Sequence, residues 1–538
     1  MSPNKLQAFL SAYYVYLLEL NFFLLIVAFI VNFKYIKEMF LEIRRRSLLF
    51  LIIISIAGIS VTSIINPRNH RIYYDEDINC SIGQCIAHHK RAVMCNEGYY
   101  ENNELTVVAE EYNKQPAGYP YLISVIFSIF GTNELYAFIL NNLLFGLMVF
   151  VIFFIVYLLF NDVFAGLIAG LVYILIPVNL QWFNTGAVEP STTFFASMAV
   201  LASLIYIKNK RPANLFLLTT VAAFSFNFRP ESFLIAIVIG FIFLLKDIGV
   251  LKRKELYMFG ALSLVLSTGI IIHLYAMRNQ SWGASGPKFS LQYLPFNFFT
   301  NSTFYLDNEV FPLLFTVLGI TGLLFYKYKN YIKEKIILLS WLLVFWGIFL
   351  FFYAGTYKHD LGLSARFSIL SYVPISIFVG LGISFVRSLL EKKIKPIELI
   401  LVALIIFNAL TFLPFIRTQS KGESAACRMD HFYAMKFIKL LPQNSIIFTH
   451  NPNMFLIHKK SALQTSTETY NPGTVERLRE RFRGGVFVHY NYWSGVPYDQ
   501  LQRSFTENIL DKYEYEILEE HYFNNYKYGL YKLTNRRE

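Results

Sequence analysis

Long apolar runs separated by short polar stretches dominate the first 416 residues of the chain. A helix needs about 20 mostly apolar residues to cross a hydrocarbon core of roughly 30 Å. Twelve runs approach or exceed this length, so the pattern predicts twelve membrane-spanning helices. The predicted spans are 11–33, 47–65, 134–160, 163–180, 190–207, 214–228, 232–246, 256–275, 309–326, 336–354, 367–386 and 397–416. A shorter apolar run, 119–131, is predicted to form a helix at the membrane interface.

The basic residues between these runs predict the orientation of the chain, because Lys and Arg are enriched in cytoplasmic loops. Of the 31 basic residues before position 417, 20 fall in one set of alternate loops, which we assign to the cytoplasm. Both termini and the long loop 66–118 are then extracytoplasmic. We therefore expect a multi-pass protein of the plasma membrane whose longest loops face outward.

The composition agrees with a membrane protein. The chain has 538 residues, of which 55% are hydrophobic and 16% are charged, whereas soluble domains carry about 25% charged residues. The net charge of +12 does not indicate a nucleic-acid-binding protein, because the basic residues lie in short gaps between apolar runs. The sequence contains neither a Walker loop nor a GxGxxG motif, and so gives no sign of nucleotide hydrolysis.

Three regions follow from this pattern: 1–46, an additional N-terminal helix with a basic cytoplasmic loop; 47–416, the transmembrane catalytic module; and 417–538, an outer domain. The outer domain has no spanning run and is predicted to be a small α/β domain. Its predicted elements are a helix at 434–441, strands at 445–449 and 485–490, and a hairpin of 513–518 with 526–533. The predicted fold is thus an all-α polytopic membrane bundle with a small C-terminal extracytoplasmic α/β domain.

The four cysteines lie on the predicted outer side, where disulfides form: Cys80, Cys85, Cys95 and Cys427. They allow three pairings, one of which would tie the first loop to the outer domain. A zinc site of Cys85, His88, His89 and Cys95 is an alternative, although this spacing matches no recurring zinc motif.

Ionisable residues collect at the outer ends of several predicted spans. Residues 75–77 are three consecutive acidic residues, and Lys114 closes the same loop. Glu189 is the lone charged residue of the next outer loop. Cations and acids also follow in later outer loops, namely Arg229, Glu231, His359 and Arg366. Ionisable groups near a membrane span are costly and indicate a functional site. We therefore expect a charged cavity at the outer surface.

One carboxylate surrounded by cations suits a sugar carried on a polyprenyl phosphate. The phosphate leaving group has a second pKa of about 6, so it departs without a general acid. The protein must then hold the phosphate charge with Arg, Lys or His and supply one carboxylate as a base for the acceptor. A single displacement with one base inverts the anomeric carbon.

At these residues the sequence resembles a known family. Tyr74-Asp75-Glu76, the segment 115–120 (QPAGYP), residues 127–131 (FSIFG) and Glu189-Pro190 are similar to motifs of the GT-C glycosyltransferases. The similarity is strongest to members related to protein O-mannosyltransferases and to the lipid A aminoarabinose transferase, and it covers roughly 47–386. It implies a bundle of long helices, an outer-side active site, a polyprenyl-phosphate sugar donor and inversion. The acceptor, a protein, lipid or glycan, is left open. The span 11–33 precedes the usual first span of this family.

Carried over by position, the resemblance implies a role for each matching residue. The implied catalytic residues are Asp75, Glu76 and Glu189, and the implied phosphate-binding residues are Lys114, Arg229, His359 and Arg366. Tyr74, Tyr119 and Glu231 are further candidates for substrate contact. Asp75 and Glu189 are also the candidate ligands of a divalent metal ion, the one cofactor that the resemblance suggests.

Structural interpretations of the same residues stay open. Glu189 could cap a helix N-terminus, Arg229 could pair with Glu231 within a turn, and Arg366 could extend to lipid headgroups. Two other functions also use charged groups in a membrane bundle: a transporter or flippase of lipid-linked sugars, and a polymerase or ligase of surface polysaccharide. A transporter should place such groups near the membrane midplane, often in repeated halves.

Overall fold

The computed structural model describes residues 3–72, 74–101, 104–280, 283–327, 330–357, 363–422, 425–496 and 499–537. The apolar runs form helices that pack into a bundle. The helices up to residue 422 are α1 Pro3–Leu41, α2 Arg45–Ile65, α3 Asp75–His89, α4 Gly118–Phe130, α5 Leu135–Phe160, α6 Val163–Leu175, α7 Pro177–Trp182, α8 Val188–Lys208, α9 Pro212–Phe226, α10 Ile235–Lys246, α11 Lys254–Leu266, α12 Thr268–Ala276, α13 Leu294–Phe304, α14 Leu313–Phe325, α15 Ile332–Leu350, α16 Ile369–Leu390, α17 Ile397–Leu410 and α18 Leu413–Gly422. Short 3-10 helices are Pro230–Leu234, Ile248–Lys252, Leu291–Tyr293 and Leu363–Ser368.

Each predicted span corresponds to a helix, but not all of these helices are long enough to cross a membrane. Within the described residues, six helices have the necessary length and hydropathy, and α11 with α12 forms a seventh that is bent by 48°. The span predicted at 163–180 is divided at Pro177, because proline lacks the N–H that would continue α6. The span predicted at 232–246 begins as a 3-10 helix at Pro230. The interfacial run 119–131 forms α4, a helix of 13 residues.

The outward faces of the bundle are apolar. On α1, Phe23 is 61% exposed and Ile30 is 68% exposed, and on α2 Ile64 is 80% exposed. Such continuous apolar surfaces are unfavourable in water and are normal where lipid is the solvent. The chain is therefore a multi-pass membrane protein.

A second folded unit surrounds a mixed β-sheet. The described residues contribute seven strands to it, in the order β2-β1-β4-β3-β5-β7-β6. The strands are β1 Met94–Glu101, β2 Glu104–Glu111, β3 Ile446–Thr449, β4 Ser461–Gln464, β5 Val486–Tyr490, β6 Tyr513–Phe523 and β7 Tyr526–Arg536. The helices of this unit are α19 Ala425–Leu440, α20 Asn453–Leu456, α21 Ser466–Tyr470, α22 Thr474–Arg481, α23 Tyr492–Gly495 and α24 Gln500–Lys512. Strand β3 is parallel to β4 and β5, and β6 pairs with β7 as the predicted terminal hairpin.

The first outer loop takes part in this sheet. Its strands β1 and β2 form an antiparallel hairpin, and Gly98 of β1 pairs with Ala462 of β4. The segment 417–538 is therefore not folded apart from the loop 66–118, contrary to a reading of the sequence as separate segments. The pairing joins residues that are far apart in the chain, so no local pattern indicates it.

Candidate active site

A cavity of about 480 Å³ lies where α3, α8 and the ends of α9 and α15 meet. It brings together six of the residues that the sequence singles out: Asp75, Lys114, Glu189, Arg229, Glu231 and Arg366. They come from four separate connecting segments of the chain, which thus share one charged hollow.

Asp75 is the first residue of α3, so its position is set by the start of that helix. Its backbone N–H donates to the carbonyl of Ile72 at 2.8 Å. Among the described residues, no donor is hydrogen-bonded to its carboxylate. Burial raises the pKa of Asp75, and the nearby charges of Arg366 and Lys114 offset part of this rise. A half-buried carboxylate that is accessible from the cavity and has a raised pKa is suited to accept a proton.

Glu189, in the first turn of α8, has a different environment. Nε of Arg366 donates to its Oε1 at 2.7 Å, and Nη1 of Arg229 donates to the same oxygen. The Glu189 side chain is only 6% exposed. Both guanidinium groups also lie near the ring of Phe367, with Cζ of Arg229 5.1 Å and Cζ of Arg366 4.9 Å from its centre. Glu189 therefore holds two cations in place at the cavity.

Arg229 lies just before the 3-10 helix Pro230–Leu234, and its Nε donates to Glu231. The predicted pairing of Arg229 with Glu231 within the turn is thus present, and Arg229 contacts Glu189 as well. Lys114 lines the cavity from the other side with an exposed side chain. The carbonyl oxygen of Lys114 lies 3.1 Å from Nε2 of His273, which fixes the backbone that carries it.

Three of the other candidates do not line this cavity. Glu76 is buried and accepts hydrogen bonds from the backbone N–H groups of Arg71 and Gly186. Tyr119 is buried against α5, where its hydroxyl accepts from Nδ2 of Asn141 at 3.1 Å. These contacts give Glu76 and Tyr119 structural positions.

Tyr74 donates from its hydroxyl to Asp430 of the outer domain. Burial raises the pKa of Asp430 to about 7. Tyr74 therefore joins the start of α3 to the outer domain. His359 lies outside the described residues.

The cavity also contains residues that the sequence did not single out. Asn79 lies one turn after Asp75 on α3, and Gln115, Tyr353 and Thr356 line the cavity from the loops. Asn79 follows from the i, i+4 spacing once α3 is known to be a helix. The aromatic and hydroxyl groups after α15 carry no signal in the sequence.

The two carboxylate oxygens of Glu189 have different surroundings. Two guanidinium groups share its Oε1, whereas its Oε2 is buried and has no hydrogen-bond partner among the described residues. A divalent metal ion between Asp75 and Glu189 therefore stays a prediction. Among the described residues, the ligand atoms of Cys85, His88, His89 and Cys95 do not converge into a group that could hold a metal ion.

Among the described residues, Cys80, Cys85 and Cys95 are buried free thiols. The side chain of Cys427 lies outside the described part of the chain, so the predicted link between loop and outer domain is not tested.

Known proteins share parts of this arrangement. The family model for dolichyl-phosphate-mannose-protein mannosyltransferases matches residues 114–273. This segment includes Lys114, Glu189 and Arg229, and excludes Asp75 and Arg366. A comparison with curated protein sequences found no match.

Two solved structures have a similar fold across almost the whole chain. ArnT from Cupriavidus metallidurans bound to undecaprenyl phosphate has a TM-score of 0.54 at 11% identity, covering 91% of this chain and 98% of ArnT. The oligosaccharyltransferase AglB from Archaeoglobus fulgidus, in complex with an inhibitory peptide and a dolichol-phosphate, has a TM-score of 0.52 at 13% identity, covering 91% of this chain and 74% of AglB. The chain has the GT-C fold.

Within this GT-C fold, the described charged residues of the cavity come from loops and helix ends and not from the middle of spans. Asp75 opens α3, Arg229 precedes the 3-10 helix before α10, and Arg366 precedes α16. The arrangement places the accessible carboxylate of Asp75 in one cavity with Lys114 and with two arginines that pair with Glu189. Such a site can bind an anionic group and remove a proton beside it.

Proposed function

We propose that this chain is a membrane glycosyltransferase that moves a sugar from a polyprenyl-phosphate donor to an acceptor on the outer face of the membrane, with inversion. The observation that carries the proposal is the carboxylate of Asp75, which has no hydrogen-bonding partner among the described residues and shares one cavity with Lys114, Arg229 and Arg366. The family match and the fold support the same reaction class.

In the proposed reaction, Asp75 accepts the proton of the acceptor's hydroxyl or amine. The acceptor atom forms a bond to the anomeric carbon while the bond from that carbon to the phosphate oxygen breaks. The polyprenyl phosphate leaves as an anion, and Arg366, Arg229 and Lys114 stabilise its charge. One base and one displacement give the inverted product.

A second cavity supports a lipid-linked donor. It has a volume of about 270 Å³ and lies between α13, α14, α15 and α16. Its lining is almost entirely apolar and includes Phe311, Phe315, Trp346 and Phe378. Residues that follow α15, such as Phe352 and Tyr353, line the charged cavity. A donor with its phosphate in the charged cavity would thus find an apolar space for its lipid along the same helix.

In the proposed topology, both termini and the active site are extracytoplasmic, in the plasma membrane. Of the twelve predicted spans, six described helices, or seven with the bent pair α11–α12, have the length and hydropathy to cross a membrane. The enrichment of basic residues in one set of loops supports this orientation. In the structures of similar fold, the bound lipids are dolichol-phosphate and undecaprenyl phosphate, and an A. fulgidus oligosaccharyltransferase structure carries an acceptor peptide. These ligands support a lipid-phosphate donor and make a peptide the first acceptor to test.

The location of the charges favours transfer over transport. A transporter is expected to hold its ionisable groups near the midplane, whereas Asp75, Lys114 and Arg229 lie in loops and at helix ends. A polymerase or ligase would use the same donor, and its product distinguishes it, because repeated units would be joined where a transferase adds one sugar.

The test is transfer from synthetic polyprenyl-phosphate sugars by the purified full-length protein in liposomes. We expect Asp75→Asn to abolish transfer while its elution profile and melting temperature stay close to wild type. Asp511→Asn, the same change at an exposed position of α24, is the matched control and should retain full activity. Transfer by Asp75→Asn at the wild-type rate would remove Asp75 from the mechanism.

A further inference from the structure

Four ionisable side chains converge outside the charged cavity: His70, Asp77, Glu134 and His431. Each side chain offers one ligand atom, and these four atoms all lie within 4.8 Å of one another. The side chains of Asp77 and His70 are 0% and 2% exposed, and those of Glu134 and His431 are 10% and 11% exposed. They come from the loop after α2, from α3, from the residue before α5 and from α19 of the outer domain. None of the four belongs to the site described above.

The two histidines present the same ring nitrogen to Asp77. Nδ1 of His70 lies 3.5 Å from Oδ2 of Asp77, and Nδ1 of His431 lies 3.5 Å from Oδ1. All four of these atoms are buried, and among the described residues none of them has a hydrogen-bond partner. Buried polar atoms are rarely left unpaired in this way, since each costs about 1–3 kcal/mol.

The opposite nitrogens of the same rings meet a second carboxylate. Nε2 of His70 lies 3.2 Å from Oε2 of Glu134, and Nε2 of His431 lies 3.2 Å from Oε1. A carboxylate at Nε2 favours a proton on that nitrogen, which leaves Nδ1 as a lone pair directed at Asp77. A histidine that donates one ring N–H to a carboxylate and turns its other nitrogen inward is the usual arrangement of a metal ligand.

Protonated histidines explain the geometry less well. The rings of His70 and His431 are stacked with centres 3.7 Å apart. Two imidazolium ions in that arrangement would repel one another in a buried environment. With neutral histidines, the carboxylates of Asp77 and Glu134 give the cluster negative charge that a divalent cation would offset, and Oε2 of Glu76 lies a further 3.7 Å from Nδ1 of His70.

We propose that His70 Nδ1, His431 Nδ1 and Asp77 bind one divalent transition-metal ion of the zinc class, and that Glu134 orients both imidazoles. Imidazole and carboxylate ligands suit zinc, and tetrahedral bonds of about 2.0–2.1 Å put neighbouring ligand atoms about 3.3 Å apart. The observed distances of 3.5 Å are close to this value.

The ion would join the outer domain to the membrane module. His431 is supplied by α19, whereas the other ligands belong to the first outer loop. Asp77 lies two residues after Asp75 on α3, so an ion held by Asp77 also restrains the helix that carries the cavity carboxylate. The binding site itself does not depend on the proposed transfer reaction.

The test is the metal content of the full-length protein, purified in detergent through a tag without histidines from cells grown with added zinc. We expect about one ion per chain by mass spectrometry of the metals. After chelation, Co²⁺ should restore binding with the visible absorption of a tetrahedral site and without thiolate charge-transfer bands. The absence of those bands distinguishes this site from one built on the buried cysteines.

Two substitutions locate the ion. We expect His431→Gln and Asp77→Asn to lower the Co²⁺ affinity at least tenfold, and Glu134→Gln to lower it less. His521→Gln, at an outer-domain histidine that pairs with Glu519, is the matched control and should bind as wild type. A wild-type protein that neither carries an ion nor binds Co²⁺ would overturn the proposal, as would His431→Gln binding as tightly as wild type. If Asp77→Asn does not fold, the metal content of wild type and the Co²⁺ affinity of His431→Gln decide the test.

Discussion

Arg366 and Glu189 are 177 positions apart in the chain, yet Nε of Arg366 donates to Oε1 of Glu189 at 2.7 Å. Arg229 donates to the same oxygen, so one buried carboxylate fixes two guanidinium groups at the edge of the cavity. In the proposed reaction, Glu189 keeps these two cations in place for the anionic donor.

The first prediction concerns the contact of Glu189 with the two arginines. Glu189→Gln removes the charge that both arginines share, and we expect the protein to lose about 3 kcal/mol of stability because Arg366 loses this acidic partner and Arg229 keeps only Glu231. We also expect the donor KM to rise more than kcat falls, because Asp75 is unchanged. Thermal unfolding in detergent and transfer kinetics measure the two effects.

Glu334→Gln on α15 is the matched control, since Glu334 also pairs with one cation, Lys246, away from the cavity. It should affect stability without changing the donor KM. If Glu189→Gln instead lowered kcat and left the donor KM unchanged, Glu189 would act in the chemical step.

The second prediction separates donor from acceptor. Arg366→Ala removes a charged hydrogen-bond donor, a loss of about 1.5–3 kcal/mol. We expect this to raise the donor KM about 10- to 100-fold and to leave the acceptor KM within about twofold. Arg503→Ala, which breaks an exposed pair with Glu507, is the control. Equal losses for donor and acceptor would argue against contact of Arg366 with the phosphate.

The third prediction tests the close packing beside Lys114. The N–H of Gly118 donates to the carbonyl of Asn227 at 2.9 Å, and a Cβ at this glycine would lie 2.4 Å from that oxygen. Gly118→Ala must therefore push the start of α4 away from the turn that carries Arg229. We expect at least a tenfold loss of transfer, together with a lower melting temperature.

Gly240→Ala on α10 is the control, because a Cβ there meets nothing within 4 Å. Alanine is the better helix former, so this variant should be as stable as wild type or more stable. Wild-type transfer by Gly118→Ala would show that the distance between the two segments does not matter.

The sequence predicts those features that depend on local pattern. The positions of the helices follow from the apolar runs, although six or seven of those described have the length to cross a membrane. The terminal hairpin follows from its alternation. The cavity charges could also be chosen from sequence, because Asp75, Lys114 and Arg366 are charged residues beside apolar runs. The structure explains the glycine of the motif at 115–120, because Gly118 packs closely against Asn227. The sequence alone does not show this contact.

Other features depend on contacts between distant parts of the chain. No periodicity shows that β1 pairs with β4, or that Glu189 binds both arginines. His70 and His431 each look like an ordinary histidine in sequence. They become a cluster only when the outer domain packs against the first loop.

The last prediction concerns the pH dependence of stability in the outer domain. His489 in β5 is fully buried, and burial, with a smaller contribution from His450, lowers its pKa to about 3. In the unfolded chain the pKa of histidine is about 6.5. Between these values the unfolded chain binds a proton that the folded chain does not, so stability is complete above about pH 6.5 and falls as the pH falls. At about pH 5 the loss from this residue is about 2 kcal/mol.

We expect the melting temperature of wild type to fall between about pH 7 and pH 5, and His489→Gln to reduce that fall. The glutamine is uncharged at both pH values and can still bond to Oγ1 of Thr449, which lies 3.0 Å from Nδ1 of His489. His521→Gln, at a histidine whose side chain is 30% exposed, should keep the wild-type pH dependence. Differential scanning fluorimetry across this range is the measurement. A melting curve of His489→Gln that shifts with pH as much as that of wild type would mean that other groups cause the acid sensitivity.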